Sequence, residues 1–235
     1  MNRRQTSTDF NPLNQRELNR KIAIHEAGHA AAIYLGNKQK QLPPVYFQIF
    51  INKLNRGFQS TECLCRVCYS CTQCFTKIEG GRLIHILPFS VEAAICDYSA
   101  IQKKAYIFAF EADIINLLVG PLAEANYVAL RDNEPINPKL VTLNALHYYG
   151  GAADLEAINQ YLDCFSIDRI GREKKLSELF LVAFGFIKNP TNWFAIMALA
   201  EYILSGSTNK LDCEEIMAVL DGQYFITRKD RGTNR

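Results

Sequence analysis

The stretch Lys21-Ile22-Ala23-Ile24-His25-Glu26-Ala27-Gly28-His29-Ala30-Ala31-Ala32-Ile33-Tyr34-Leu35 sets both fold and chemistry. It is Ala-rich and carries apolar residues at helical spacing, which predicts a helix from Asn14 to Leu35 with Gly36 as its C-terminal stop. Inside it lies His25-Glu26-Ala27-Gly28-His29, an H-E-x-x-H motif. Residues four apart share a helix face about one turn along the axis, so the two imidazoles can bind one metal ion. Zn2+ takes neutral imidazole readily and, in catalytic sites, holds three protein ligands and one water. Glu26, one residue beyond the first histidine, can reach that water instead of the metal and serve as general base. Gly28 leaves room for another element to pack close. The plainer alternative is a helix with two ordinary histidines and an exposed Glu. It fits less well, because Ile22, Ala32 and Ile33 mark the same face as partly buried and two of the chain's four histidines fall here.

Composition outside this helix is that of a globular protein. The 235 residues include 49% hydrophobic and 21% charged, with 26 Lys+Arg against 24 Asp+Glu, whereas disorder needs fewer apolar residues and more net charge. A net charge of +2 gives no reason to expect nucleic acid or a membrane surface as the main partner. No stretch approaches the roughly 20 continuous apolar residues of a membrane span; the longest runs are Leu179–Ile187 and Phe194–Leu204, the latter interrupted by Glu201. The basic N-terminus has no apolar stretch behind it, so no secretory signal is expected and the chain reads as cytoplasmic.

After Pro43-Pro44, residues 45–51 (VYFQIFI) are aromatic and β-branched and predict a strand. Arg82–Leu87, closed by Pro88, predicts a second strand, with a cysteine cluster on the hairpin-like connection between them. The remainder reads as helical. Val91–Leu130 is expected to hold one or two helices and to bend or break near Gly120-Pro121, because an interior proline loses a backbone hydrogen bond. A helix should start at Asn137-Pro138 and stop at Gly150-Gly151, and another should run from Ala153 to about Phe165. Lys174–Lys188, Thr191–Leu204 and Asp212–Leu220 supply the last three. The expected fold class is mainly α, with a small β-hairpin or sheet element near the histidine helix.

At this point the chain resembles a known family. KIAIHEAGHAAAIYL is similar to the zinc helix in the peptidase domain of FtsH-type proteases, the membrane-anchored AAA+ metalloproteases. Three further segments agree in the family's order. Residues 118–124 (LVGPLAE) resemble its LGGRAAE stretch, residues 150–155 (GGAADL) resemble the glycine-led segment whose Asp is the third zinc ligand, and Trp193–Leu220 resembles the closing helices. The resemblance covers roughly residues 18 to 222. It implies a helical zinc-peptidase domain over 14–222 with a Cys-rich insertion at about 55–80, a flexible lead-in over 1–13 and a tail over 223–235.

The same resemblance implies His25, His29 and Asp154 as ligands of one catalytic Zn2+, with Glu26 as general base. From the residues alone, Asp154 is equally an acid favoured in a helix's first turn by the dipole, and spacing does not separate the two roles. Glu124 is the rival third ligand; the preferred alternative is an acid that holds a liganding histidine through its other ring nitrogen. His85 and His147 remain, and His147, just before the Asp154 segment, could approach the site. The implied function is a zinc metalloendopeptidase acting on unfolded or flexible polypeptides.

The chain also departs from the family. Pro121 replaces a basic residue, the stretch between the zinc helix and Asp154 is longer, and no G-x-x-x-x-G-K-[ST] is present to hold nucleotide phosphates. Unfolding driven by this polypeptide's own ATPase is therefore excluded. A separate ATPase or adaptor is the expected partner for folded substrates, and oligomerisation stays open. The alternative from another class is a weak or inactive relative acting as a binding or redox/metal-sensing module, but such a module has no need of Glu26.

Eight cysteines are the compositional anomaly, and five of them (Cys63, Cys65, Cys68, Cys71 and Cys74) fall within twelve residues. Three C-x-x-C steps follow one C-x-C. Four thiolates can close a tetrahedral zinc site, yet contiguous steps are geometrically awkward, and the C-x3-C-P end of bacterial ferredoxins is missing. A second metal (zinc ahead of iron–sulfur), thiol redox chemistry and a plain reduced loop are the three readings. An insert at this place could gate the site or sense redox state.

Overall fold

The structure, a computed structural model, describes residues 12–51, 76–138, 141–165, 168–206 and 208–222. The described chain is mostly helical with one small three-stranded antiparallel sheet, as expected. The first helix, α1 (Pro12–Ala31), does not stop at Gly36. It continues through a π-helical turn, Ala32–Gly36, into α2 (Asn37–Gln39). Gly36 has ordinary helical angles; the left-handed residue beyond the helix is Gln41, at φ 55°.

β1 (Phe47–Ile51) forms where the aromatic, β-branched run predicts it, with Phe47, Ile49 and Ile51 buried on alternate positions. It is the central strand of the order β2-β1-β3. β2 is Thr76–Gly80, not Arg82–Leu87. It pairs antiparallel with β1, Ile49 opposite Ile78, and β3 (Lys210–Leu211) takes the other edge. The strand ends because Gly80 and Gly81 both adopt positive φ, 86° and 79°, a conformation that L side chains resist. The segment beyond takes its hydrogen bonds from a side chain. Leu83 and Ile84 donate their N–H groups to Asp113, each at 2.9 Å, and Tyr161 donates its hydroxyl at 3.0 Å. The alternating RLIHIL pattern is real, but a carboxylate occupies the place of a neighbouring strand.

Asp113 is 3% exposed. Burial pushes its carboxyl above the usual range, against the two N–H groups and the Tyr161 hydroxyl. Asp113→Ala would leave these three donors without their acceptor, at roughly 1–3 kcal/mol for each buried group. We expect a loss of about 3 kcal/mol and, for a domain of this size, a fall in Tm of about 6–12 °C. A melting curve within 2 °C of wild type would mean that the 82–84 segment is held by something else.

The short helix α3 (Val91–Ala94) precedes α4 (Ala100–Arg131), which starts at a Ser99–Gln102 capping box and runs 32 residues through Pro121 without a break. An interior proline costs about 3 kcal/mol. Here Leu118, Val119, Leu122 and Ala123 around it are all 0% exposed, and that burial offsets the lost hydrogen bond. By length and composition α4 could cross a membrane, although 61% of the qualifying window is buried in the structure. A core helix passes the same test, so one such helix is weak evidence of a span. The expected helix from Pro138 is replaced by a 3-10 helix, Leu143–Tyr149, begun by Thr142 and ended by left-handed Gly150. Leu146 is its only buried residue, too little apolar face for a longer α-helix to bury.

Three of the remaining helices fall where the sequence places them, α5 (Ala152–Cys164), α7 (Pro190–Ser205) and α8 (Cys213–Leu220), while α6 (Arg169–Lys188) starts five residues before the expected Lys174, where Asp168 caps it by accepting the Gly171 N–H. α1 packs on α4 and α7, α4 also packs on α5 and α6, and β2 lies beside α1. One continuous apolar core joins these elements.

Candidate metal centre

Three helices bring the site together. α1 supplies His25 and His29, one turn apart, and the first turn of α5 supplies Asp154. The Gly150-Gly151 turn swings α5 into place, and Asp154 follows three residues after it. The two histidine Nε2 atoms lie 3.1 Å apart, His25 Nε2 is 3.2 Å from Asp154 Oδ2, and His29 Nε2 is 3.3 Å from Asp154 Oδ1. His25 and His29 are 7% and 6% exposed.

The outer ring nitrogens are fixed by acceptors. His29 Nδ1 donates to the Asn116 carbonyl of α4 at 2.8 Å, and His25 Nδ1 donates to the Tyr149 carbonyl at 3.2 Å. A carbonyl can only accept, so Nδ1 carries the proton in each neutral ring and Nε2 faces the shared point with its lone pair. Glu124 Oε2 lies 3.5 Å from His25 Nδ1. Glu124 therefore sits behind His25, on the side preferred from sequence, and among the described residues the group able to hold a metal is His25, His29 and Asp154.

The electrostatics suit a cation. Burial works against a charged His25, but hydrogen bonds to Asp154 and Glu124 outweigh it and raise its pKa well above the ordinary value. His29 is raised for the same reason, with burial opposed by the charge of Asp154. Burial alone would raise Asp154, yet the two imidazoles hold its carboxyl far below the usual range. The space between the nitrogens and the carboxylate is thus a place for a proton or a metal cation.

Glu26 turns elsewhere. Its Oε2 accepts the Ile78 N–H of β2 at 2.7 Å, and burial raises its carboxyl against the pull of His25, His29 and that N–H. A cleft of about 520 Å3 opens beside the centre, lined by His29, Asp154 and Ala157, by β2 residues from Lys77 to Gly80, and by Arg82 and His85. His85 is thus in a loop at the cleft and not in a strand, and His147 is exposed. Cys63, Cys65, Cys68, Cys71 and Cys74 lie outside the described residues, in the connection between β1 and β2.

Sequence reasoning passed over the Asn116 and Tyr149 carbonyls, the Ile78 amide and the Asp113–Tyr161 pair. The first three are backbone groups with no side-chain signature. Asp113 does carry a signal, a lone acid within the apolar run 112–119 of α4. No family model, curated protein or solved structure matches this chain.

Proposed function

We propose that this chain is a zinc metallopeptidase whose helical domain has the architecture of FtsH-type peptidase domains, and that it cleaves unfolded or flexible polypeptides. The observation that carries this reading is the convergence of two imidazoles and a carboxylate, whose candidate ligand atoms, one from each residue, all lie within 4.8 Å of one another. Tetrahedral zinc with ligand bonds of about 2.0–2.1 Å separates its ligand atoms by about 3.3 Å. The two histidine Nε2 atoms lie 3.1 Å apart, and the Asp154 carboxylate faces both, Oδ2 at 3.2 Å from His25 and Oδ1 at 3.3 Å from His29. Two imidazole nitrogens and a carboxylate are also the donor types that suit zinc.

His25, His29 and Asp154 would hold the ion. Bound there, zinc supplies a Lewis acid for the scissile carbonyl and lowers the pKa of a water at its open position. The residues around it do the rest. The Asn116 and Tyr149 carbonyls, with Glu124, hold the two rings in the liganding tautomer. Glu26 is one residue from His25 and partly open, where it can accept a proton from the attacking water and pass it to the leaving amine. An extended peptide can lie in the cleft between β2 and α5, since a strand edge is a general way of holding peptide backbone. No P-loop occurs in the sequence, so cleavage by this polypeptide draws on segments that are already extended.

The test is zinc content and cleavage of an unfolded polypeptide, compared between wild type and Asp154→Ala. The wild type should hold one zinc per chain more than the variant, whatever the cysteines bind. Chelation should abolish cleavage and zinc should restore it. Zinc must displace protons from histidines whose pKa values are raised, so apparent affinity should weaken as pH falls, with proton release on binding. Equal zinc content in the two proteins would sink the assignment.

A further inference from the structure

We propose that the backbone N–H of Ile78 is the positioning group for Glu26, and that the central donor of the β2 edge serves the protein's own carboxylate and not the substrate. This rests on the zinc-peptidase reading for its chemical meaning, while the contact itself does not depend on that reading.

The strand geometry makes the assignment. N–H groups along a β-strand alternate between its two sides. Ile78 stands opposite Ile49 of β1, yet its N–H goes to Glu26 of α1, and therefore points away from β1. Lys77 and Glu79, opposite Phe50 and Gln48, turn theirs toward β1. β2 is an edge strand, so Ile78 carries the donor that an added peptide strand would be expected to use. At 2.7 Å from a carboxylate oxygen that donor is engaged in a charge-assisted hydrogen bond.

For Glu26 the bond removes freedom. A glutamate side chain has several rotatable bonds, and fixing Oε2 on a strand amide restricts where Oε1 can lie. Among the described residues Oε1 makes no hydrogen bond, whereas Oε2 is held by the Ile78 N–H, so Oε1 is the oxygen available for the proton. The anchor is itself secured. Gly81 donates to the Tyr46 carbonyl at 2.9 Å, and Leu83 and Ile84 donate to Asp113 of α4. Strand β2 is thus tied to both central helices by carboxylates, Glu26 on α1 near its middle and Asp113 on α4 just past its end. A peptide laid along this edge must draw on donors and acceptors other than the Ile78 N–H, or displace the base.

Two measurements test this. The first needs no activity: amide hydrogen exchange followed by NMR in wild type and in Glu26→Ala, with and without zinc. Ile78 should exchange at least tenfold faster in the variant, while Lys77 and Glu79, whose amides face β1, keep their rates. Equal Ile78 rates in the two proteins would overturn the proposal, and loss of protection at all three positions would show unfolding, in which case the second measurement decides. That measurement compares Ile78→Pro with Ile78→Ala in cleavage. Proline is tolerated where an edge-strand N–H faces away from its neighbour, and only the proline variant loses the donor. The proline variant should show kcat at least tenfold below that of the alanine variant at similar KM. A higher KM with equal kcat would mean that the amide binds substrate, and would overturn the proposal. If Glu26→Gln cleaves like wild type, the peptidase reading fails instead, and the exchange result still decides whether the contact exists.

Discussion

Glu26→Gln is expected to keep its zinc and lose its cleavage. Glutamine has the shape of glutamate and retains an oxygen that can accept the Ile78 N–H, so the contact with β2 survives. It cannot take a proton from water. A positioned general base contributes about 10²–10⁴ in rate, so kcat should fall about a thousandfold, or roughly 4 kcal/mol in the barrier. Zinc affinity should change little, because the atoms that converge on the metal position come from His25, His29 and Asp154 and do not include Glu26. Asp154→Ala provides the contrast, losing metal and activity together. Metal content by elemental analysis beside a cleavage time course separates the two variants, and wild-type cleavage by Glu26→Gln would end the assigned role.

Much of the fold was legible because burial and local propensity agree. α5, α7 and α8 lie within a residue or two of their expected bounds, each with an apolar face and a clear start or stop. The mistakes fall where tertiary contacts override local signals. Residues 82–87 have better strand composition than Thr76-Lys77-Ile78-Glu79-Gly80, but β1 pairs with the latter and Asp113 captures the former. Strand propensity measures fit to a neighbouring surface, and the sequence does not name the neighbour. Pro121 misled in the same way, since the burial that offsets its cost is contributed by α1 and α5, far away in sequence.

For the site, the histidine pair was legible from spacing because both residues sit on one helix. Asp154 was not, being 125 residues beyond His29; only a family resemblance singled it out, and the geometry then brings it within 3.3 Å of both rings. The position of Glu124 behind His25 could be weighed but not decided from sequence, because a ligand and a supporting acid have the same composition. Backbone partners could not be seen at all. The Asn116 carbonyl depends on how α4 is rotated against α1, which is a property of the packed pair.

That packing gives the second large effect, Gly120→Ala. α1 and α4 cross at glycines: a Cβ on Gly28 would lie 2.8 Å from Ala123 Cβ, and one on Gly120 would lie 2.2 Å from His29 Nε2. In a helix interior alanine is favoured over glycine by about 1 kcal/mol, so propensity alone predicts a more stable protein. Sterics reverse the sign. The new methyl would need His29 to retreat by more than an ångström, from the atom that faces the metal position. A ligand constellation tolerates displacements of only about 0.5 Å, and an ångström of misplacement costs about a hundredfold in rate. We expect Gly120→Ala to weaken zinc binding by at least about a hundredfold and to abolish detectable cleavage. Gly185→Ala on α6 is the control, because a Cβ there meets nothing within 4 Å and propensity should raise stability by up to about 1 kcal/mol. The same substitution thus has opposite consequences on two helices, and the difference is the histidine pressed against α4. Wild-type zinc affinity in Gly120→Ala would show that the α1–α4 crossing is looser than these distances require.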